Sequence, residues 1–162
     1  MNGGPAPPAD LAGAVGAAAW PPRPGTQLEP REIEFRRADL VRYAGASGDF
    51  NPIHWSDAAA RGAGLPGVIA HGMATMGRLG AVLADWAGDP GAVLELSARF
   101  ARPVPVPESG AVRLVVSGQV VGLDQDSAAV NLEVTLDGAR VLGKARAKVR
   151  LSRPPGQAAA SY

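Results

Sequence analysis

Polar and apolar residues alternate through Glu32-Ile33-Glu34-Phe35-Arg36, which predicts a strand with one buried face. A short helix is predicted over residues 38–46. Leu40, Tyr43 and Ala44 form its apolar stripe, Asp39 lies in its first turn, and Gly48 is placed to close it. Asn51-Pro52 has the chemistry of a new start, a capping side chain and then a first-turn proline, with His54 in that turn. Residues 61–67 hold Gly62, Gly64, Pro66 and Gly67 and read as a loop suited to gating a pocket.

The longest helix is predicted over residues 72–86, where Met73, Met76, Gly80 and Leu83 recur at helical spacing. Its many small residues, Gly77, Gly80, Ala81 and Ala84, let it lie closely in the curve of a sheet. Gly88-Asp89-Pro90-Gly91 ends it. Strand patterns fill the last third. Leu94, Leu96, Ala98 and Phe100 alternate with polar residues until Pro103, Pro105 and Pro107. Val112, Leu114 and Val116 follow, then Ala128 through Leu136, the hairpin signal Asp137-Gly138, and a closing strand over 141–151. Antiparallel strands after one buried helix predict an α+β domain, its sheet wrapped round that helix.

Composition narrows the class. The 162 residues suit one domain, with 46% hydrophobic and 19% charged residues. A net charge of +1 argues against nucleic acid held by a strong basic field. The absence of cysteine excludes disulfides and thiolate chemistry and fits a reducing cytoplasm, the expected location. No apolar run approaches the roughly 20 residues of a membrane helix. Residues 1–25, rich in Gly, Ala and Pro, predict a disordered arm, with a short docking helix over 9–19 as the alternative. Residues 26–151 are the predicted domain, and 152–162 a flexible tail.

The chemistry concentrates between Tyr43 and Met76, which includes both histidines. Asp49 and His54 can converge on one water, the carboxylate charged and the imidazole mostly neutral at pH 7. Spacing alone equally allows Asp49 to cap a helix and His54 to pack in the core. His71-Gly72 opens the long helix, where unpaired N–H groups favour a developing oxyanion and a glycine admits close approach; an ordinary junction is the alternative. His54 and His71 lack the paired spacing of a metal motif, so no metal is expected. Lys144, Arg146, Lys148 and Arg150 share a strand face, which is either simply solvated or a surface for phosphate or an acidic carrier protein. Ser47 lacks a nucleophile elbow and is discounted.

Together, YAGASGDFNPIHWSD and GVIAHGM resemble the signature of the MaoC-like, R-specific hydratase/dehydratase family, which has the hot-dog fold. The likeness runs on through TMGRLGAVLADWAGDPGAV and SARFARPVPVP, covering residues 26–151. Within the family it looks most like the B subunit of actinobacterial (mycobacterial-type) 3-hydroxyacyl-acyl-carrier-protein dehydratases of type II fatty-acid synthesis. The resemblance implies that Asp49 and His54 bind the water added or lost, and that the Gly72 N–H meets the thioester oxygen. It also implies loop or substrate support from Asn51 and His71. It implies no cofactor, since the acyl group arrives on phosphopantetheine of a carrier protein or CoA. It implies a homodimer, or a heterodimer with an A-type hot-dog subunit. A hot-dog thioesterase and a non-catalytic acyl-binding subunit are the competing functions.

Overall fold

The computed structural model describes residues 21–151; the predicted tail and the first twenty residues of the predicted arm lie outside that range. Pro22 is buried, and the Gly25 N–H donates to the Val120 carbonyl at 2.7 Å, so the fold takes in residues ahead of Thr26.

Five antiparallel strands, β1 (Gln27–Phe35), β2 (Val93–Phe100), β3 (Val112–Leu123), β4 (Ser127–Leu136) and β5 (Ala139–Arg150), form one sheet in the order β1-β3-β4-β5-β2. The strands β3, β4 and β5 bury alternate residues, among them Leu114, Val116, Val130, Val134, Ala147 and Val149. The helix α3 (Gly72–Ala87) packs on β1, β2 and β5, and its Leu79 and Leu83 are fully enclosed in the same core. Burying such a leucine contributes about 1.5–3 kcal/mol each. The architecture is therefore the expected α+β wrap of an antiparallel sheet round one long helix. No helix among the described residues is long and apolar enough to cross a membrane.

Local chemistry explains the ends of the elements. The helix α1 (Arg37–Ser47) starts at Arg36, whose N–H donates to Asp39 Oδ2 at 2.9 Å, and stops at Gly48 in the left-handed region (φ 76°). Asp137 (φ 49°) and Gly138 (φ 75°) make the tight turn joining β4 to β5.

Four expectations need correction. A short helix α2 (Asp57–Gly62), capped by Ser56 Oγ on the Ala59 N–H at 3.3 Å, takes up Arg61 and Gly62, so the loop begins later than expected. After Asn51 the chain makes only one 3₁₀ turn, Pro52–His54. The buried stripe of α3 is Ala74, Thr75, Leu79, Leu83 and Ala87, while Met73 is 59% exposed. Of the small residues expected against the sheet, Gly77 and Ala81 are exposed, and Gly80 has a sheet side chain, Leu96, within 4 Å of where its Cβ would lie. On β2, Leu94 and Phe100 are exposed rather than buried, because an edge strand with two register shifts does not keep a strict alternation.

One position stores strain. Lys144 adopts φ 51° where β5 breaks register between its pairings Val134↔Leu142 and Leu132↔Ala145. A left-handed non-glycine residue costs on the order of 1–3 kcal/mol. In thermal or urea unfolding, Lys144→Val is expected to be less stable than Lys144→Gly by about 1 kcal/mol or more. Equal stabilities would show that the backbone there relaxes at no cost.

Candidate active site

Asp49 and His54 meet because a loop and a single 3₁₀ turn separate them. The Ser47 hydroxyl accepts from the Asp49 N–H (3.2 Å), and Asp49 Oδ1 accepts from the Asn51 N–H (3.2 Å). Asn51 then caps the turn by accepting from the Ile53 N–H at 3.3 Å. This delivers Asp49 Oδ2 to 4.0 Å from His54 Nε2. That gap is too long for a direct bond, but one oxygen placed about 2.8 Å from each can bond both.

The far side of the His54 ring fixes its tautomer. Nδ1 lies 2.8 Å from the Ile69 carbonyl, which can only accept, so Nδ1 carries the hydrogen and Nε2 of the neutral ring presents a lone pair toward Asp49. Ile69 is itself held in place: its own N–H donates to Ile53 O (3.2 Å), and the next N–H, of Ala70, donates to Val104 O (2.9 Å).

His71 has the opposite tautomer. Its Nε2 lies 3.2 Å from the Asp49 carbonyl and donates to it, while its Nδ1 is buried without a partner among the described residues. The two imidazoles stack with centroids 3.8 Å apart, and the Tyr43 ring lies 4.8 Å from that of His71. Burial pushes the His71 pKa down. The bond to the Asp49 carbonyl opposes this, while the nearby His54 adds to it. His71 is thus a neutral prop under the loop that carries Asp49.

Asp49 and His54 border a cavity of about 470 Å³, also lined by Gly72, Met73, Thr75, Phe100 and Arg102. Gly72 is the first residue of α3, and its N–H precedes the helical ladder, whose first bond is the Thr75 N–H to His71 O at 3.1 Å. Asp49, His54 and Gly72 are therefore gathered at one cavity, with Asn51 and His71 behind them. The basic row on β5 is elsewhere. Lys144, Arg146, Lys148 and Arg150 alternate with the buried Ala145, Ala147 and Val149, so they occupy the outer sheet face, and Lys148 is paired with Asp124 at 3.2 Å.

Asp49, His54 and His71 each bring one possible ligand atom to within 4.8 Å of the others, a closer gathering than their spacing suggests. In this arrangement His71 Nε2 is turned to the Asp49 carbonyl, so that nitrogen carries hydrogen and offers no ligand.

The sequence reading missed the clamp beneath the site. Arg37 Nη2 lies 3.0 Å from Asp57 Oδ1 and its Nε donates to Val106 O at 2.8 Å. The same carboxylate oxygen accepts from the Val68 N–H at 3.1 Å. Arg37 above all, then that N–H, holds Asp57 below the usual carboxylate range. Thr75 and Phe100 were also missed as cavity residues, since helix phase and the strand end decide both.

The MaoC like domain family matches residues 20–137 of this chain. The chain belongs to that family. Over 92 residues it is 39% identical to 3-hydroxyacyl-thioester dehydratase X of Mycobacterium tuberculosis, covering 53% of this chain and 32% of that protein. A solved MaoC-like dehydratase is 37% identical with TM-score 0.78, over 82% of this chain and 41% of that one. The MaoC-like chain thus spans less than half the length of these two relatives. The (R)-hydratase from A. caviae involved in PHA biosynthesis superposes at TM-score 0.71 and 25% identity, over 83% of this MaoC-like chain and 100% of its own.

A pH test follows from His71. The unfolded imidazole binds a proton near its ordinary value of 6.5, and the folded one resists. The stability from this source is complete above that pH. It is expected to be lost as pH falls toward the depressed folded value. Urea unfolding at pH 7.5 and at about 5.5 measures the slope, and His71→Gln is expected to flatten it. An unchanged slope in a folded His71→Gln would contradict the assignment.

Proposed function

We propose that this MaoC-like domain catalyses reversible dehydration of a (3R)-hydroxyacyl thioester, equivalently hydration of a trans-2-enoyl thioester. One observation carries the reading: His54 Nε2 faces Asp49 Oδ2 across 4.0 Å at a cavity whose wall includes the first residue of α3. The names of dehydratase X and the A. caviae hydratase support it.

In the dehydration direction the C2–H bond breaks, its electrons form the C2=C3 double bond, and the C3–O bond breaks. The Asp49/His54 pair takes the C2 proton and supplies a proton to the departing hydroxide, which leaves as water. Negative charge that builds on the thioester oxygen is met by the Gly72 N–H and the helix start behind it. The elimination is redox-neutral and its proton transfers fall to this pair, so the step as proposed invokes no metal or redox cofactor. The acyl group is carried by CoA or an acyl carrier protein. The outer face with Lys144, Arg146 and Arg150 is the candidate contact for the latter, and Lys148 is already engaged by Asp124. We place the reaction in cytoplasmic fatty-acid synthesis, with the domain paired to a second hot-dog subunit, either a copy of itself or an A-type partner.

Crotonyl-CoA tests the reading by loss of its enoyl absorbance with the thioester intact. Release of free thiol would mean a thioesterase, and inertness with a co-expressed partner a non-catalytic subunit. Asp49→Asn and His54→Ala are each expected to lower turnover by roughly two or more orders of magnitude. Near-normal turnover in either folded variant would refute the assignment.

A further inference from the structure

The space that Gly72 leaves by lacking a side chain is occupied. A Cβ there would lie 2.9 Å from both Cε1 and Cζ of Phe100 and 3.2 Å from Cε2, inside van der Waals contact. The far edge of the ring therefore rests on the glycine. Phe100 ends β2 opposite Leu142, and the chain leaves the sheet just after it, where the Ala101 and Arg102 N–H groups both turn to Val141 O (3.0 and 3.3 Å).

Core packing does not account for this ring. It is 50% exposed, whereas Leu96 and Ala98 of the same strand pack against the core. Its neighbours are functional: it lines the cavity that holds Asp49, His54 and Gly72. On a helix the Cα–Cβ bond tilts toward the N-terminus, the direction in which the first N–H groups point. A ring seated at the missing Cβ of Gly72 therefore flanks that residue's amide and takes up part of its solvent shell. A donor screened from water and held against a fixed wall is better prepared for charge that develops during reaction than one free to reorganise.

We propose that Phe100 is a positioning residue: its ring holds the Gly72 amide in place and keeps water off one side of it. This rests on the dehydratase reading above. Glycine at position 72 then serves the ring as well as the substrate.

Wild type, Phe100→Ala, Phe100→Leu, Gly72→Ala and the Gly72→Ala/Phe100→Ala double variant test it through crotonyl-CoA hydration and thermal unfolding. Phe100→Ala is expected to lower kcat about tenfold or more while KM stays within about twofold, because the lost interaction belongs to the transition state. Phe100→Leu is expected to fall between, and it carries the kinetic comparison if the alanine variant does not fold. Gly72→Ala is expected to lower the unfolding midpoint in the wild-type background, where its methyl meets the ring. With Phe100→Ala it is expected to be neutral or stabilising, since alanine then has space and favours the helix. Unchanged kcat in a folded Phe100 variant, or a loss confined to KM, overturns the positioning role. So does the same midpoint shift for Gly72→Ala in both backgrounds. A wild type inactive on crotonyl-CoA even with a co-expressed partner overturns the dehydratase reading and this role with it, and the midpoints then report the contact alone.

Discussion

The hydrogen bond from His54 Nδ1 to the Ile69 carbonyl, 2.8 Å long, governs what the site can do. A carbonyl cannot donate, so the bond chooses the tautomer and turns a basic nitrogen toward the cavity. His71, stacked 3.8 Å away, is set the opposite way by a carbonyl of the very loop that carries the carboxylate. Two identical side chains thus differ through backbone partners: one presents a lone pair to Asp49, the other supports the Asp49 backbone.

Ile69 must itself be fixed for this to hold. Its own N–H bonds Ile53, its neighbour Ala70 bonds Val104, and the Val106 N–H returns to Val68 O at 2.8 Å. The Arg37–Asp57 pair closes the same region from the other side, through Val68 and Val106. Each such bond contributes only about 0.5–1.5 kcal/mol net, but a buried group left without its partner costs about 1–3 kcal/mol. The network therefore acts chiefly by excluding other arrangements of the loop. Beneath it, Leu79, Leu83 and the inward residues of β3 to β5 supply the burial that keeps α3 seated.

Much of the fold was legible because period-2 alternation in β3 and β4, and the Asp137-Gly138 turn, are local signals of a global arrangement. Gly48 likewise announced its left-handed cap. The α2 helix was overlooked although Ser56, Asp57 and three alanines signal it, since the glycines that follow masked a six-residue element. The phase of α3 was misjudged because Met73 carries more hydrophobic weight than Ala74, Thr75 and Ala87, which are the residues actually buried. Asp49, His54 and Gly72 stood out by residue type and do share one cavity. Phe100 and Asp57 did not, because each matters through a contact with a distant segment that no sequence period records.

The most direct measurement is the nitrogen-15 NMR spectrum of the two imidazoles near neutral pH, feasible because the chain has only two histidines. The account predicts opposite neutral tautomers: His54 with hydrogen on Nδ1 and a pyridine-like Nε2, His71 with hydrogen on Nε2. A His54 protonated on Nε2 and bare on Nδ1 would contradict it, because no lone pair would then face Asp49.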